Sequence, residues 1–323
     1  MKLLTVTVVA LTLLSPASNE TLANSRPEPI YRDHFAYYSD NASYVDRVER
    51  VIGRTRERLL NLLRDSLDYR PSVYIVSDQS RFNDLIGGKF PDWGAAAAFP
   101  ERRLVAVKSP AEFNLNRSLD ELLAHEYAHL VLARNTGLFS APRWFDEGLA
   151  MLVSMEWSWS DNLAMSKAAV FGQLVDLSDI EKVNRFSEGK AHVAYAEAYL
   201  AVTFLIDTYD REAIGRFVET VARGGSAEEA IWAATGATGQ EFEQDFRLHL
   251  NRRFNIISLF MDTIFFWLGL SVLVVIGGWL RFRKRRRYYR QWQEDEKLES
   301  TDFEYGDPEQ PEHIDDDDEP WRA

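Results

Sequence analysis

The chain has 323 residues, of which 46% are hydrophobic and 27% are charged, and its formal net charge at pH 7 is -13. It contains no cysteine, which excludes disulfide bonds and thiolate zinc sites, so any metal must be held by His, Asp or Glu. The acidic balance argues against nucleic acid as a partner, because phosphate binding calls for a basic surface.

The first 23 residues have the layout of a secretory signal peptide. Lys2 gives a positive start, and Leu3 to Leu14 form an uncharged, mostly apolar run that is too short to span a bilayer comfortably. Ser15-Pro16-Ala17 and Thr21-Leu22-Ala23 each offer a small-residue cleavage site, and the sequence does not decide between them. We therefore expect residues 1–23 to be a signal for export.

A lead-in segment and a helix occupy residues 24–70. The first part is polar and contains proline, and residues 40–67 then repeat apolar side chains at helical spacing. Residues 71–77 are a β-rich run that predicts a strand. Residues 92–108 fit two strands joined by a turn, although the alanine run there is also compatible with a helix. The edge of such a hairpin either holds an extended peptide or is purely structural.

A histidine pair with helical spacing is the central motif. His125, Glu126 and His129 form an H-E-x-x-H pattern, and the i, i+4 spacing places both imidazoles on one helical face. Ser118 and Glu121 form a capping box at the start of this helix. Burial of three polar groups in an apolar helix is costly without a partner, so the pattern favours a metal site. Glu126 lies beside the pair, where a general base for a metal-activated water belongs.

A second helix begins near Pro142 and supplies a third ligand. It is mostly apolar, yet Asp146 and Glu147 stand side by side within it, and one of them is the natural third ligand. Two histidines and one carboxylate leave a fourth position open, which is typical of a catalytic zinc site and not of a structural one.

Helices follow in the C-terminal half of the domain. Residues 191–209 predict a strong helix with Tyr195 and Tyr199 on one face. Two further helices are each opened by a capping box, and the second ends near Phe254.

Residues 256–280 are predicted to form a transmembrane helix. Thr263 to Leu280 carries no charge, and eighteen helical residues extend ~27 Å. The basic run 281–287 follows directly, which places that end in the cytoplasm. From Gln291 to Ala323 there are fourteen acidic and two basic side chains, typical of a disordered tail. We expect a single-pass membrane protein whose catalytic domain is extracytoplasmic (periplasmic or extracellular) and whose cytoplasmic tail could bind a partner.

With these motifs, the chain resembles the peptidase-MA-like gluzincins, which are zinc peptidases distantly related to thermolysin and the zinc aminopeptidases. The resemblance extends from about Pro71 to Phe254. It rests on His125-Glu126-Tyr127-Ala128-His129 and Pro142-Arg143-Trp144-Phe145-Asp146-Glu147-Gly148-Leu149-Ala150, with softer matches at residues 194–199 and 204–209.

The resemblance implies an α+β, thermolysin-like fold over residues 71–254, with a small N-terminal sheet and a helical C-terminal part. It implies Zn²⁺ bound by His125, His129 and Glu147, with Asp146 the less favoured neighbour.

The resemblance also assigns two catalytic roles. Glu126 is the general base, and Tyr195 matches a tyrosine that stabilises the oxyanion, with Tyr199 one turn away as the alternative. Thermolysin-like enzymes carry an aspartate four residues after the ligand glutamate, which orients a zinc histidine. That position is Met151 here, so the partner of the histidine must come from elsewhere.

The resulting hypothesis is a membrane-anchored zinc metallopeptidase that hydrolyses peptide bonds of extracytoplasmic proteins or peptides. The alternative is a non-catalytic membrane protein whose metallopeptidase-like domain acts as a binding or scaffold module. The sequence identifies neither the substrate nor whether cleavage is internal or terminal.

Overall fold

A computed structural model of the chain divides into two compact units, residues 1–262 and 263–323. The signal segment 1–23 and the tail from residue 300 onward lie outside the described residues. The structure describes residues 28–39, 41–63, 69–88 and 94–299, without the side chains of 258–266, 287–288, 291 and 294–299.

A five-stranded mixed sheet forms the N-terminal part of the first unit. The strands are β1 (Ile30–Tyr31), β2 (Ala36–Tyr38), β3 (Ser72–Val76), β4 (Ala96–Phe99) and β5 (Leu104–Lys108), arranged in the order β1-β2-β3-β5-β4. The pairs β2–β3 and β3–β5 are parallel, whereas β1 and β4 are antiparallel edge strands. The predicted strand and hairpin are therefore confirmed. β1 and β2 lie in the lead-in and were not predicted, because two or three residues are too few for an alternating pattern.

The edge strand of the hairpin, β4, is the strand that would hold an extended peptide. Its residues Ala96, Ala97 and Ala98 are only 3%, 0% and 4% exposed. These three residues are therefore buried and offer little free surface to a peptide in this conformation.

The helices of the first unit pack mainly on one face of the sheet. Helix α2 (Gln79–Ile86) lies on the other face, where Phe82 contacts the second core cluster with Tyr74 and Val76. The others are α1 (Val45–Leu62), α3 (Leu119–Thr136), α4 (Arg143–Ser154), α5 (Trp159–Val170), α6 (Glu188–Thr208), α7 (Glu212–Ala222), α8 (Ala227–Thr235) and α9 (Gly239–Arg253).

Two of these helices refine the sequence prediction. Helix α1 shares the main core with α3 through Val48, Ile52 and Leu59, so the lead-in is packed into the same unit as the peptidase-like part. Helix α7 was not predicted. A 3₁₀ helix, Leu177–Arg185, lies between α5 and α6 in the chain.

A close helix contact positions α4. A Cβ atom on Gly148 would lie 2.2 Å from the backbone carbonyl oxygen of Ala198, on α6. Only glycine therefore permits α4 and α6 to approach this closely at that point. The contact fixes the helix turn that carries the neighbouring Glu147.

The second unit contains most of helix α10 (Ile256–Glu299). Within the part of the chain that the structure describes, no helix is both long and apolar enough to cross a membrane. The transmembrane prediction over 256–280 is therefore not supported. Part of that range, 258–266, has side chains outside the described set.

Candidate metal centre

Helices α3 and α4 bring the three predicted ligands together. The candidate ligand atoms of His125, His129 and Glu147 all lie within 4.8 Å of one another. The Oε2 atom of Glu147 is 3.5 Å from Nε2 of His125 and 3.9 Å from Nε2 of His129. The three residues are 2%, 3% and 1% exposed, so the cluster is almost fully shielded from solvent.

The chemistry of these atoms fits a metal ion. Both Nε2 atoms and Oε2 of Glu147 are buried, and none of them finds a hydrogen-bond partner among the described residues. Such burial costs about 1–3 kcal/mol per unsatisfied group. Three convergent donors of this kind, two imidazoles and one carboxylate, are a donor set that suits Zn²⁺. The residues therefore fit the metal that the sequence resemblance implies.

Each histidine binds a carboxylate through its other ring nitrogen. Nδ1 of His125 lies 2.8 Å from Oε1 of Glu156, and Nδ1 of His129 lies 2.7 Å from Oδ1 of Asp146. In a neutral imidazole that donates its Nδ1 hydrogen to a carboxylate, Nε2 keeps its lone pair toward the ligand cluster, as metal binding requires. Asp146 therefore lies behind a histidine, and Glu147 is the carboxylate that joins the cluster.

The charges at the centre shift the pKa values of its members. Burial alone would lower the pKa of His125, but the carboxylates of Glu156 and Glu147 raise it to about 10. Burial would raise the pKa of Glu156, but His125 and Arg117 lower it to about 2. The pKa of His129 is also raised, because the charge and hydrogen bond of Asp146 outweigh burial. In this conformation, acidic side chains therefore dominate the electrostatics around both imidazoles.

Glu126 lies beside the ligand cluster on α3. It is 0% exposed, and neither of its carboxylate oxygens has a hydrogen-bond partner in the described part of the chain. Burial raises the pKa of this carboxyl, while the charges of His129 and His125 act in the opposite direction. A carboxylate of raised pKa accepts a proton more readily near neutral pH, which suits a general base.

The structure separates the two candidate tyrosines. Tyr195 is buried beside Arg143 and Glu147. Burial and the charge of Glu147 raise the pKa of its hydroxyl above the usual range, against the opposing effect of Arg143. Tyr199 instead stacks on Trp157, with ring centroids 4.8 Å apart. Tyr195 is therefore the tyrosine that faces the metal centre, and Tyr199 contributes to packing.

Three residues of the site were not predicted from the sequence: Glu156, Arg117 and Arg143. Arg143 lies 3.3 Å from Oε1 of Glu147, and Arg117 lies 2.8 Å from Oε2 of Glu156. Arg143 stands one turn before Glu147 on α4, which was a usable signal. Glu156 and Arg117 are 31 and eight residues from His125 in the chain, and no local pattern connects them to it.

Comparison with known proteins shows the family of the chain. Residues 64–252 match the sequence model of the Peptidase MA superfamily, which is more than half of the chain. The chain belongs to this superfamily. As a member of the Peptidase MA superfamily, it is peptidase-like, and its buried His-His-Glu group suits the zinc dependence that is typical of the family.

The chain is also similar to the "Uncharacterized protein YhcO" of Bacillus subtilis (strain 168). The two are 24% identical over 152 residues, which is 45% of this chain and 44% of the relative. The chain thus spans less than half the length of that relative, and the activity of the whole protein has to be argued from its own site.

Proposed function

We propose that this protein is a zinc-dependent peptidase that hydrolyses peptide bonds. The observation that supports this best is the buried cluster of His125, His129 and Glu147, whose facing atoms have no other partner in the described residues. Glu126 adjoins this cluster, and it too is buried. A purely structural core would leave four such groups unsatisfied, at a cost of several kcal/mol, roughly 1–3 each.

His125, His129 and Glu147 would hold the zinc ion. When bound, the ion supplies Lewis acidity, which polarises a substrate carbonyl and makes a nearby water a stronger nucleophile. Glu126 accepts the proton of the attacking water and passes it to the leaving amine. Its buried position keeps bulk water away from the transferred proton and strengthens the charge interactions within the site.

Tyr195 and Arg143 are proposed to support the negative charge that develops on the carbonyl oxygen. The Tyr195 hydroxyl is a hydrogen-bond donor, and its raised pKa keeps it protonated at neutral pH. Arg143 contacts Glu147 and lies beside Tyr195, so its charge favours an anion in this neighbourhood.

The substitution Glu126→Gln tests the proposal. We expect peptide hydrolysis to fall by about 10²–10⁴-fold, because the general base is lost. Zinc content, measured by atomic emission on the purified protein, is expected to stay at one per chain, since the ligands are intact. Glu197→Gln changes another buried glutamate, on α6, and serves as the control that keeps activity.

Two outcomes would contradict the proposal. Turnover of a fluorogenic peptide library that is equal in wild type and the Glu126→Gln variant would remove Glu126 from the mechanism. Stoichiometric zinc with no hydrolysis of any peptide by the wild type would favour the alternative of a non-catalytic binding module.

We further propose that the domain acts outside the cytoplasm. The support is the signal-like sequence of residues 1–23 and the basic run that follows the apolar residues 263–280. Apolar side chains within 267–280, such as Val274 and Val275, are also exposed, as surfaces that meet lipid or another protein are. Mass spectrometry of the mature N-terminus and cell fractionation would test this, and an intact Met1 in the soluble cytoplasmic fraction would contradict it.

A further inference from the structure

We propose that Arg117 is a positioning residue for the metal centre, acting through Glu156 on His125; this rests on the proposed zinc function. Arg117 lies in the segment before α3 and is not one of the ligands. The chain His125–Glu156–Arg117 is continuous, with 2.8 Å between Nδ1 of His125 and Oε1 of Glu156, and 2.8 Å between Oε2 of Glu156 and the Arg117 guanidinium.

Glu156 is held from several sides. Its Oε1 atom accepts a hydrogen bond from the Ser154 hydroxyl at 2.7 Å in addition to its contact with His125. The side chain is 3% exposed. With Oε1 hydrogen-bonded and Oε2 in an ion pair with Arg117, the carboxylate has little freedom to rotate, and the imidazole that it binds is fixed in turn.

Arg117 compensates the charge of Glu156. A buried carboxylate whose positive partner is removed is destabilised, because its charge is then poorly compensated. Without the Arg117 contact at Oε2, the Glu156 carboxylate is free to rotate away from its position beside His125. This rotation weakens its hydrogen bond to His125, so the effect of Arg117 reaches the metal ligand.

The backbone also directs Glu156 toward the histidine. Met155, which ends α4, has φ 63° and ψ 41°, a left-handed conformation that is uncommon for a residue with a side chain. The left-handed residue Met155 comes directly before Glu156 and turns the chain there. Strained backbone of this kind persists where the surroundings hold it, and it clusters at functional sites.

The carboxylate contact that supports His129 is weaker than the one that supports His125. Asp146 binds His129 at 2.7 Å, but its side chain is 27% exposed. Solvent can therefore replace part of that interaction, whereas the Glu156 carboxylate is enclosed. The two ligands are supported unequally, and the support of His125 reaches outside α3 and α4.

Zinc affinity tests the proposal independently of activity. Competition with a chromophoric chelator is expected to show 10–100-fold weaker binding for Glu156→Gln and for Arg117→Met. The double variant is expected to bind no more weakly than Glu156→Gln alone, because both substitutions interrupt the same chain of contacts. Arg117→Lys keeps the charge but not the forked geometry, and its affinity should fall between Arg117→Met and wild type.

Arg47→Met is the matched control. Arg47 and Arg117 line the same cavity of about 440 Å³, but Arg47 pairs with Asp120, whereas Arg117 pairs with Glu156. Its zinc affinity is expected to stay within about twofold of wild type. The absorption spectrum of the Co²⁺-substituted protein should change for Arg117→Met and not for Arg47→Met, because only the former alters the orientation of His125.

The outcomes separate this proposal from the zinc function itself. If the wild type binds zinc stoichiometrically and Arg117→Met matches Arg47→Met in affinity and cobalt spectrum, Arg117 is not a positioning residue. Additive losses in the double variant would equally overturn the action through Glu156. If the wild type binds no zinc, the proposed function fails first. Circular dichroism of the metal-free variants identifies any that do not fold, and Arg117→Lys then carries the test.

Discussion

Two regions of the molecule bury glutamates in different ways. Glu126 and Glu147, at the metal centre, are 0% and 1% exposed, and their carboxylate oxygens have no hydrogen-bond partner in the described residues. Glu197, on α6, is also 1% exposed, but its Oε1 atom accepts a hydrogen bond from the Val175 backbone at 2.7 Å. The three glutamates are thus buried to the same extent, but only Glu197 accepts a hydrogen bond from the described residues.

The difference shows how to tell a functional carboxylate from a structural one. Burial raises the pKa of Glu197 to about 8, so this group is mostly neutral at pH 7 and holds the backbone near Val175 to α6. Glu147 faces two imidazole nitrogens with no hydrogen bond of that kind in the described region. Buried carboxylate oxygens without a hydrogen-bond partner indicate a ligand, whereas the backbone hydrogen bond of Glu197 accounts for its burial within the core.

Zinc-induced stabilisation gives the largest contrast between the two regions. A ligand that binds only the folded state at 100 times its Kd adds about 2.7 kcal/mol, roughly 5–10 °C in Tm for a domain of this size. We expect this rise in wild type and in Glu197→Gln, measured by differential scanning fluorimetry with and without zinc. Glu147→Gln should lose it, because an amide is a poorer zinc ligand than a carboxylate. An equal rise in all three proteins would place the zinc elsewhere.

The tyrosines of α6 sharpen the comparison along a single helix. Tyr195→Phe removes a hydroxyl beside Arg143 and is expected to lower kcat by about 10²–10³-fold, as the loss of one oxyanion donor does. Zinc affinity should be unchanged, since Tyr195 is not a ligand. Tyr199→Phe is the control and should keep its kcat, because the Tyr199 ring stacks on Trp157. A loss of kcat in Tyr199→Phe, with none in Tyr195→Phe, would exchange the two roles.

The sequence predicts the glutamates of the metal centre but not the structural role of Glu197. The spacing of His125, Glu126 and His129 is local to one helix, so their common face follows from helix geometry alone. Glu147 was assigned by resemblance, since its own helix also offered Asp146. The structure assigns each of these carboxylates a position: Glu147 in the ligand cluster and Asp146 behind His129.

The remaining contacts are long-range and leave no periodic signal. Glu156 reaches His125 only because α4 ends in the left-handed turn at Met155, and nothing in a Ser-Met-Glu sequence indicates such a turn. Glu197 lies in an apolar helix two residues from Tyr195, and its partner Val175 is 22 residues away in the chain, so no local pattern connects the two. The fold follows a similar division: strands β3, β4 and β5 have readable patterns, whereas β1 and β2 are too short to show one.

The pH dependence of stability tests the structural glutamate and is the smallest effect. Burial raises the pKa of Glu197 to about 8 in the fold, against an ordinary value of 4.5 for a glutamate side chain. The folded state therefore holds this proton more tightly than the unfolded chain does. The resulting stabilisation is complete below about pH 4.5 and is lost as the pH rises through 8.

Glu197→Gln fixes the neutral form of this side chain and keeps an oxygen for the Val175 N–H. We expect the variant and the wild type to have similar free energies of unfolding at pH 5, and the variant to be more stable at pH 9 by roughly 1–3 kcal/mol. Urea unfolding at both pH values measures the difference, and Glu101→Gln, at an exposed site, should follow the wild type. If the Glu197→Gln and wild-type stabilities fell in parallel from pH 5 to 9, Glu197 would be ionised in the fold, and its burial would need a ligand, as that of Glu147 does.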